Sequence, residues 1–324
     1  MKRPKYTSSY AIEINKYLDT KVSFGYTERG LWDAFSKFDK FSIEHNLNVP
    51  EFTKDIANEW LKRSSDEAPA AHFKRINIVK NFMIYLNKKG MNVFITGDVL
   101  YRRNDFQPHI YSNDEIARYF HVVDTHIPIL NKRDKIQYPV IFRLLYCCGT
   151  RINETLSIKK RDVDLREGII KLTETKGNSE RYIVLGKDLL VLLRKYASKC
   201  FYLLGENDFI FTNKNGGRLS VNTVYDRHRM FLSMAGISFK GNWNGPRIHD
   251  FRHTFAVNSF KQMIDSGLDM YVALPILSIY LGHKRNFATE QYVRLTLSMY
   301  PYIEKKFSGK LNQVFTEEFE YEND

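Results

Sequence analysis

The chain has 324 residues, 49 Lys+Arg against 37 Asp+Glu, a formal net charge of +12, and a composition that is 43% hydrophobic and 27% charged. That balance excludes a disordered or collagen-like chain and leaves room for a substantial core, in one large domain or two ordinary ones. The basic surplus calls for an acidic partner. It is spread unevenly: residues 1–110 hold 18 Lys+Arg and 13 Asp+Glu, residues 111–311 hold 31 and 19, and residues 312–324 hold no base and 5 acids. Two basic stretches fit a protein that clamps a polyanion through phosphate contacts, and they fit a generally basic solvated surface equally well.

Neither export nor membrane insertion is expected. The basic start Met1–Tyr6 is followed by no apolar signal core, and the apolar run Tyr271–Gly282 is broken by Pro275 and Ser278. It also falls short of the roughly 20 residues a bilayer needs. Cys147, Cys148 and Cys200 are too few for a disulfide framework or a zinc quartet, so a cytoplasmic setting is expected.

In chain order, residues 8–90 show helical periodicity: short helices over Ser9–Asp19 and Thr53–Lys62, one after Thr27 with Leu31, Phe35 and Phe38 in phase, and one over Ala70–Lys89 closed by Gly90. Four helices there predict a small bundle. Periodicity fails from Thr96 to Asn113, which reads as an exposed connection, and Ser112-Asn-Asp-Glu115 is a capping box opening a second helical region. The expected organisation is a helical domain over 1–100, a linker over 101–113, a second domain over 114–311 and an acidic tail over 312–324. Within the second domain, Gly168–Thr173 and Arg181–Leu185 alternate and are rich in β-branched residues, predicting a hairpin with Lys176 near its tip. Helices resume over Lys187–Lys199, Ser220–Ala235, His249–Ile264 and Tyr271–Leu281, the last broken by Gly282. The fold class is mainly α with a small β-hairpin or sheet.

Four segments hold polar groups that could do chemistry. After the turn Cys147-Cys-Gly149, Arg151 at a helix start offers a planar cation for phosphate, with Glu154 at i+3 to hold it; alone, such a pair reads as a solvated helix pair. His249 and Arg252 share one helix face, as do His249 and His253, so a proton-transfer group beside a cation competes with a zinc pair. Against zinc, Asp250 stands where the zincin pattern needs Glu. His283 follows Gly282 at a helix break, and Tyr292 lies nine residues on, one of 20 tyrosines. Lys176 on a hairpin tip is either an idle surface group or a proton donor reaching into a groove.

The order of these pieces resembles the tyrosine recombinase (phage integrase) family: Gly149-Thr-Arg-Ile-Asn-Glu154, Leu156–Asp164, Thr175-Lys-Gly-Asn-Ser-Glu-Arg181, His249-Asp-Phe-Arg-His-Thr-Phe255, and Leu281-Gly-His283 with Thr289 and Tyr292. Asn153 and Phe251 depart from the family's commoner residues, and Lys261–Ile279 is extended, which predicts a lengthened loop or helix. The resemblance implies a helical core-binding domain ahead of a catalytic domain that cuts and rejoins DNA through a 3′-phosphotyrosyl intermediate and a Holliday junction. It assigns Tyr292 as nucleophile, Arg151 and Arg252 to the phosphate, Lys176 as general acid, His249 as proton acceptor, His283 as a phosphate donor and Glu154 as support. It implies no cofactor and no metal. The implied partners are double-stranded DNA with paired sites, three further copies in a homotetramer, and an accessory DNA-bending protein among the possibilities; a phage or mobile element is the implied context and the nucleoid the place of binding. A type IB topoisomerase-like activity, a catalytically unused DNA-binding regulator and a zinc hydrolase are the alternatives.

Overall fold

The computed structural model describes residues 2–97, 108–125, 132–173, 180–239, 245–282, 296 and 300, and the chain divides into two units, Met1–Phe106 and Gln107–Asp324. In the first unit, α1 (Ala11–Ser23), α2 (Trp32–Glu44), α3 (Lys54–Leu61) and α4 (Pro69–Lys88) surround an aromatic core. Their ends follow local chemistry. Thr53 Oγ1 accepts from the Ile56 N–H at 3.5 Å, and Pro69 fills the first turn of α4, where no N–H partner is needed. Phe35, Phe38, Trp60 and Phe82 meet edge to face, with ring centroids 5.4 Å apart for both Phe38–Trp60 and Phe35–Phe82. Buried Arg75 pairs with Glu67 at 2.9 and 3.0 Å and donates to the Trp60 carbonyl at 2.7 Å, so its charge is compensated where α3 meets α4.

The second unit is mainly helical with one small sheet. Its elements are α5 (Asn113–Thr125), α6 (Lys132–Cys147), α7 (Ile152–Leu156), β1 (Val163–Asp164), β2 (Ile169–Leu172), β3 (Arg181–Val184), α8 (Lys187–Cys200), α9 (Val221–Met234), α10 (Ile248–Asp265) and α11 (Met270–Leu281). The expected capping box is present: the Ser112 N–H donates to Glu115 Oε2 at 2.8 Å and the Glu115 N–H to Ser112 Oγ at 3.2 Å. From Gln137 to Leu145 helix α6 is buried on nearly every side, because it contacts α5, α7, α8 and α10 at once.

The connection expected to be exposed is packed at both described ends. Thr96 and Pro108 are buried, and Tyr111 stacks on Phe251 of α10 with centroids 4.8 Å apart while its N–H donates to Thr254 Oγ1 at 3.0 Å. An aromatic ring and a satisfied backbone donor outweigh the polar neighbours that suggested exposure.

The hairpin pairs Leu172 with Arg181 and Ile170 with Ile183, and β1 adds a third antiparallel strand that the sequence reading missed. By the period-2 alternation, Ile170, Leu172, Ile183 and Arg181 share the inner face, while Lys171, Tyr182 and Val184 face outward. The open groove on that outer face, lined also by Arg161, is on the side of the sheet away from α7. The extension over Lys261–Ile279 is taken up by helix: α10 runs to Asp265, Gly267 turns at φ 92°, and α11 starts where Asp269 Oδ1 accepts from the Tyr271 N–H at 2.9 Å. Among the described residues, no helix is long and apolar enough to cross a membrane.

Candidate active site

The site is built where three helix ends meet, the starts of α7 and α10 and the end of α11. Gly149, before α7, adopts φ 57°, and a Cβ there would collide with the Phe255 ring, so both conformation and space demand glycine. The turn delivers Arg151 as the residue that caps α7. Its backbone N–H donates to Glu154 Oε2 at 2.9 Å, as in a capping box. A guanidinium has no acceptor to return the bond, so Arg151 Nη1 instead donates to Glu154 Oε1 at 2.6 Å.

Arg252 comes from α10 and is 1% exposed. Its Nη1 donates to the Gly149 carbonyl at 2.7 Å and its Nη2 to the Leu281 carbonyl at 2.5 Å. Arg151 Nη2 donates to the neighbouring Gly282 carbonyl at 3.3 Å. The last carbonyls of α11 lack partners within the helix and carry the negative end of its dipole, which suits them to hold cations. Gly282, left-handed at φ 66° and ψ 47°, ends the helix there. Two guanidiniums from distant segments are thus fixed to the same helix end.

Glu154 is the acidic centre of the group. Arg181 Nη1 and Nη2 donate to its two oxygens at 2.8 and 2.7 Å, a planar bidentate pair. Burial alone would raise the Glu154 carboxyl, but the Arg181 bonds and charge, followed by the Arg151 bonds, bring it down to about 2. It is therefore ionised throughout the physiological range. Arg181 was not singled out from the sequence. The signal was available in the strand pattern, because an Arg in phase with Ile183 points inward and needs a carboxylate.

His249 lies in the first turn of α10 and is exposed to solvent. The protein crowding its ring, then the charges of Arg252, Arg247 and Arg151, lower it from 6.5 to about 4, with Glu154 opposing. The imidazole is neutral at neutral pH and able to accept a proton. Arg247, also not singled out, repeats the α7 device: its N–H and Nη2 donate to Asp250 at 2.8 and 3.0 Å. His253 packs against His249 with centroids 4.9 Å apart, but no group of three His, Cys, Asp or Glu able to hold a metal occurs among the described residues. Of the expected site residues, Arg151, Glu154 and Arg252 are brought together with His249 in their field, and Lys176, His283 and Tyr292 lie outside the described residues.

The sequence profile of the Phage integrase family matches residues 111–298, which spans all of these segments. The chain belongs to that family. It is a tyrosine recombinase, an enzyme of site-specific recombination. Similar proteins include integrase/recombinase y4rB of Sinorhizobium fredii, 28% identical over 88% of this chain and 93% of that one. Tyrosine recombinase XerD of Listeria monocytogenes is 24% identical over 87% of this chain and 95% of its own. The recombinase fold is shared with XerH bound to its palindromic difH substrate in a post-cleavage complex, at TM-score 0.64 and 18% identity over 85% of this chain and 77% of that one. It is shared too with a lambda integrase tetramer bound to a Holliday junction, at TM-score 0.63 and 18% identity over 90% and 78%.

Proposed function

We propose that this recombinase breaks and rejoins duplex DNA at paired sites by transesterification, with Tyr292 as its nucleophile. The observation that carries the reading is the convergence of Arg151 and Arg252 on the backbone at Gly149 and Leu281–Gly282. Guanidiniums held in advance at fixed positions stabilise charge on the non-bridging oxygens of a phosphodiester as it becomes pentacoordinate. Tyr292 Oη attacks phosphorus and the P–O5′ bond breaks, giving a 3′-phosphotyrosyl link and a 5′-hydroxyl. The tyrosine proton passes to His249 and Lys176 supplies one to the departing oxygen. His283 donates to the phosphate and Glu154 positions Arg151. Attack by a 5′-hydroxyl from another duplex reverses the step, so the bond energy is retained and no ATP is consumed.

The same reading makes the assembly a homotetramer exchanging strands through a Holliday junction, as the lambda integrase tetramer on a Holliday junction suggests. Its context is a phage or mobile element, with an accessory DNA-bending protein and association with the nucleoid part of the proposal. The test uses nicked suicide duplexes cut from the DNA flanking the gene. Tyr292→Phe retains duplex affinity and forms no covalent adduct; an adduct that persists identifies another nucleophile and overturns the assignment.

A further inference from the structure

We propose that Arg181 is a positioning residue of strand transfer, which holds Glu154 so that Arg151 stays available to the phosphate. The inference rests on the roles proposed above for Arg151 and Tyr292. Arg181 projects from the inner face of β3, its side chain 10% exposed, and reaches a Glu154 side chain 1% exposed. Glu154 Oε1 accepts from Arg181 Nη1 at 2.8 Å and from Arg151 Nη1 at 2.6 Å. Its Oε2 accepts from Arg181 Nη2 at 2.7 Å and from the Arg151 N–H at 2.9 Å. Four donors fill the accepting positions of one carboxylate.

This sharing has an electrostatic consequence. A buried carboxylate must be compensated, and without Arg181 the remaining donors described here would both come from Arg151. Glu154 would then turn its full charge on the guanidinium that is needed at the phosphate. With Arg181 in place, part of that charge is met from the sheet side, and Arg151 Nη2 is held instead by the Gly282 carbonyl at 3.3 Å. Arg181 also lies against that glycine: a Cβ on Gly282 would sit 3.1 Å from its Nη1 and 3.4 Å from its Cδ. One guanidinium thereby sets β3, the start of α7 and the end of α11 relative to one another. Lysine, a point charge without the planar fork, could meet only part of this geometry.

The test compares wild type, Arg181→Gln, Arg181→Lys, Glu154→Gln and the Arg181→Gln/Glu154→Gln double variant. Covalent adduct formation is timed at saturating nicked duplex from the gene's flanking DNA, duplex affinity is measured separately, and folding is checked by circular dichroism. Arg181→Gln lowers the adduct rate about 10- to 100-fold, the worth of hydrogen bonds to a charged group, and leaves duplex affinity nearly unchanged. Arg181→Lys recovers part of the rate, and the double variant is little slower than Glu154→Gln alone, because Arg181 acts through Glu154. If Arg181→Gln does not fold, Arg181→Lys decides: an intermediate rate supports the role and a wild-type rate overturns it. An unchanged Arg181→Gln rate, multiplicative losses in the double variant, or a loss accounted for by affinity each overturn the inference. Wild type that forms no adduct overturns the Tyr292 assignment and this inference with it, whereas wild-type adduct with unaltered Arg181 variants overturns this inference alone.

Discussion

Arg252 Nη1 grips the Gly149 carbonyl at 2.7 Å, so a residue of α10 fixes the backbone from which Arg151 emerges. The other arm of the same fork holds Leu281 at the end of α11. Arg252→Lys keeps the charge and loses the fork. On the proposed chemistry the covalent adduct rate falls about 100-fold or more, while duplex affinity changes little. Urea unfolding registers the structural part as a loss of about 1–3 kcal/mol, because a buried carbonyl is left without its donor. Unchanged stability would mean that the two carbonyls are not held in this way.

Gly149→Ala probes the turn itself. The substitution places a Cβ in a left-handed residue and against the Phe255 ring, so it destabilises by about 2 kcal/mol or more. Pairing it with Phe255→Leu relieves the steric share and leaves the conformational one. The urea midpoints of the single and double variants measure the two shares, and a single variant as stable as wild type would contradict the contact.

Acid sensitivity follows from three buried or crowded groups. Burial lowers His228 from 6.5 to about 3, and His249 is lowered to about 4, so both take up protons more readily in the unfolded chain. Stability therefore declines as pH falls below about 6.5. Glu154, lowered from 4.5 to about 2, adds stability that is complete above 4.5 and is lost as pH falls toward 2, amounting to about 3 kcal/mol. Urea midpoints measured across pH test this. His228→Asn flattens the upper part of the decline, Glu154→Gln flattens the part below pH 4.5, and unaltered slopes would refute the assignment.

Tyr111 separates packing from polarity. Its ring is stacked on Phe251, but its hydroxyl is buried with no hydrogen-bond partner among the described residues. Tyr111→Phe keeps the stack and removes the unpaired group, raising stability by about 1 kcal/mol. Tyr111→Ala removes the stack and costs about 3–5 kcal/mol. Thermal or urea unfolding of both variants gives opposite signs.

What could be read in the sequence was governed by range. The Ser112–Glu115 capping box, the Gly282 helix end and the hairpin strands are set by chemistry within a few residues, and the structure has each of them. Arg151 with Glu154 is equally local, at i+3. The fork from Arg181 to Glu154 crosses 27 residues and belongs to no periodic pattern. Tyr111 looked exposed because its neighbours are polar, and its burial is decided by Phe251 and Thr254, far along the chain. A two-residue strand such as β1 carries no alternation to detect.

The carbonyl latches of the two arginines span long stretches of chain: 103 residues between Gly149 and Arg252, and 131 between Arg151 and Gly282. Contacts of such separation form only after the intervening segments are in place. During synthesis, a ribosome-bound chain that has not yet released α11 lacks the Leu281 and Gly282 carbonyls to which both guanidiniums reach, although Gly149 is already present for Arg252. A chain truncated ahead of α11 therefore carries Arg151 and Arg252 without the Leu281 and Gly282 carbonyls that tie the two together.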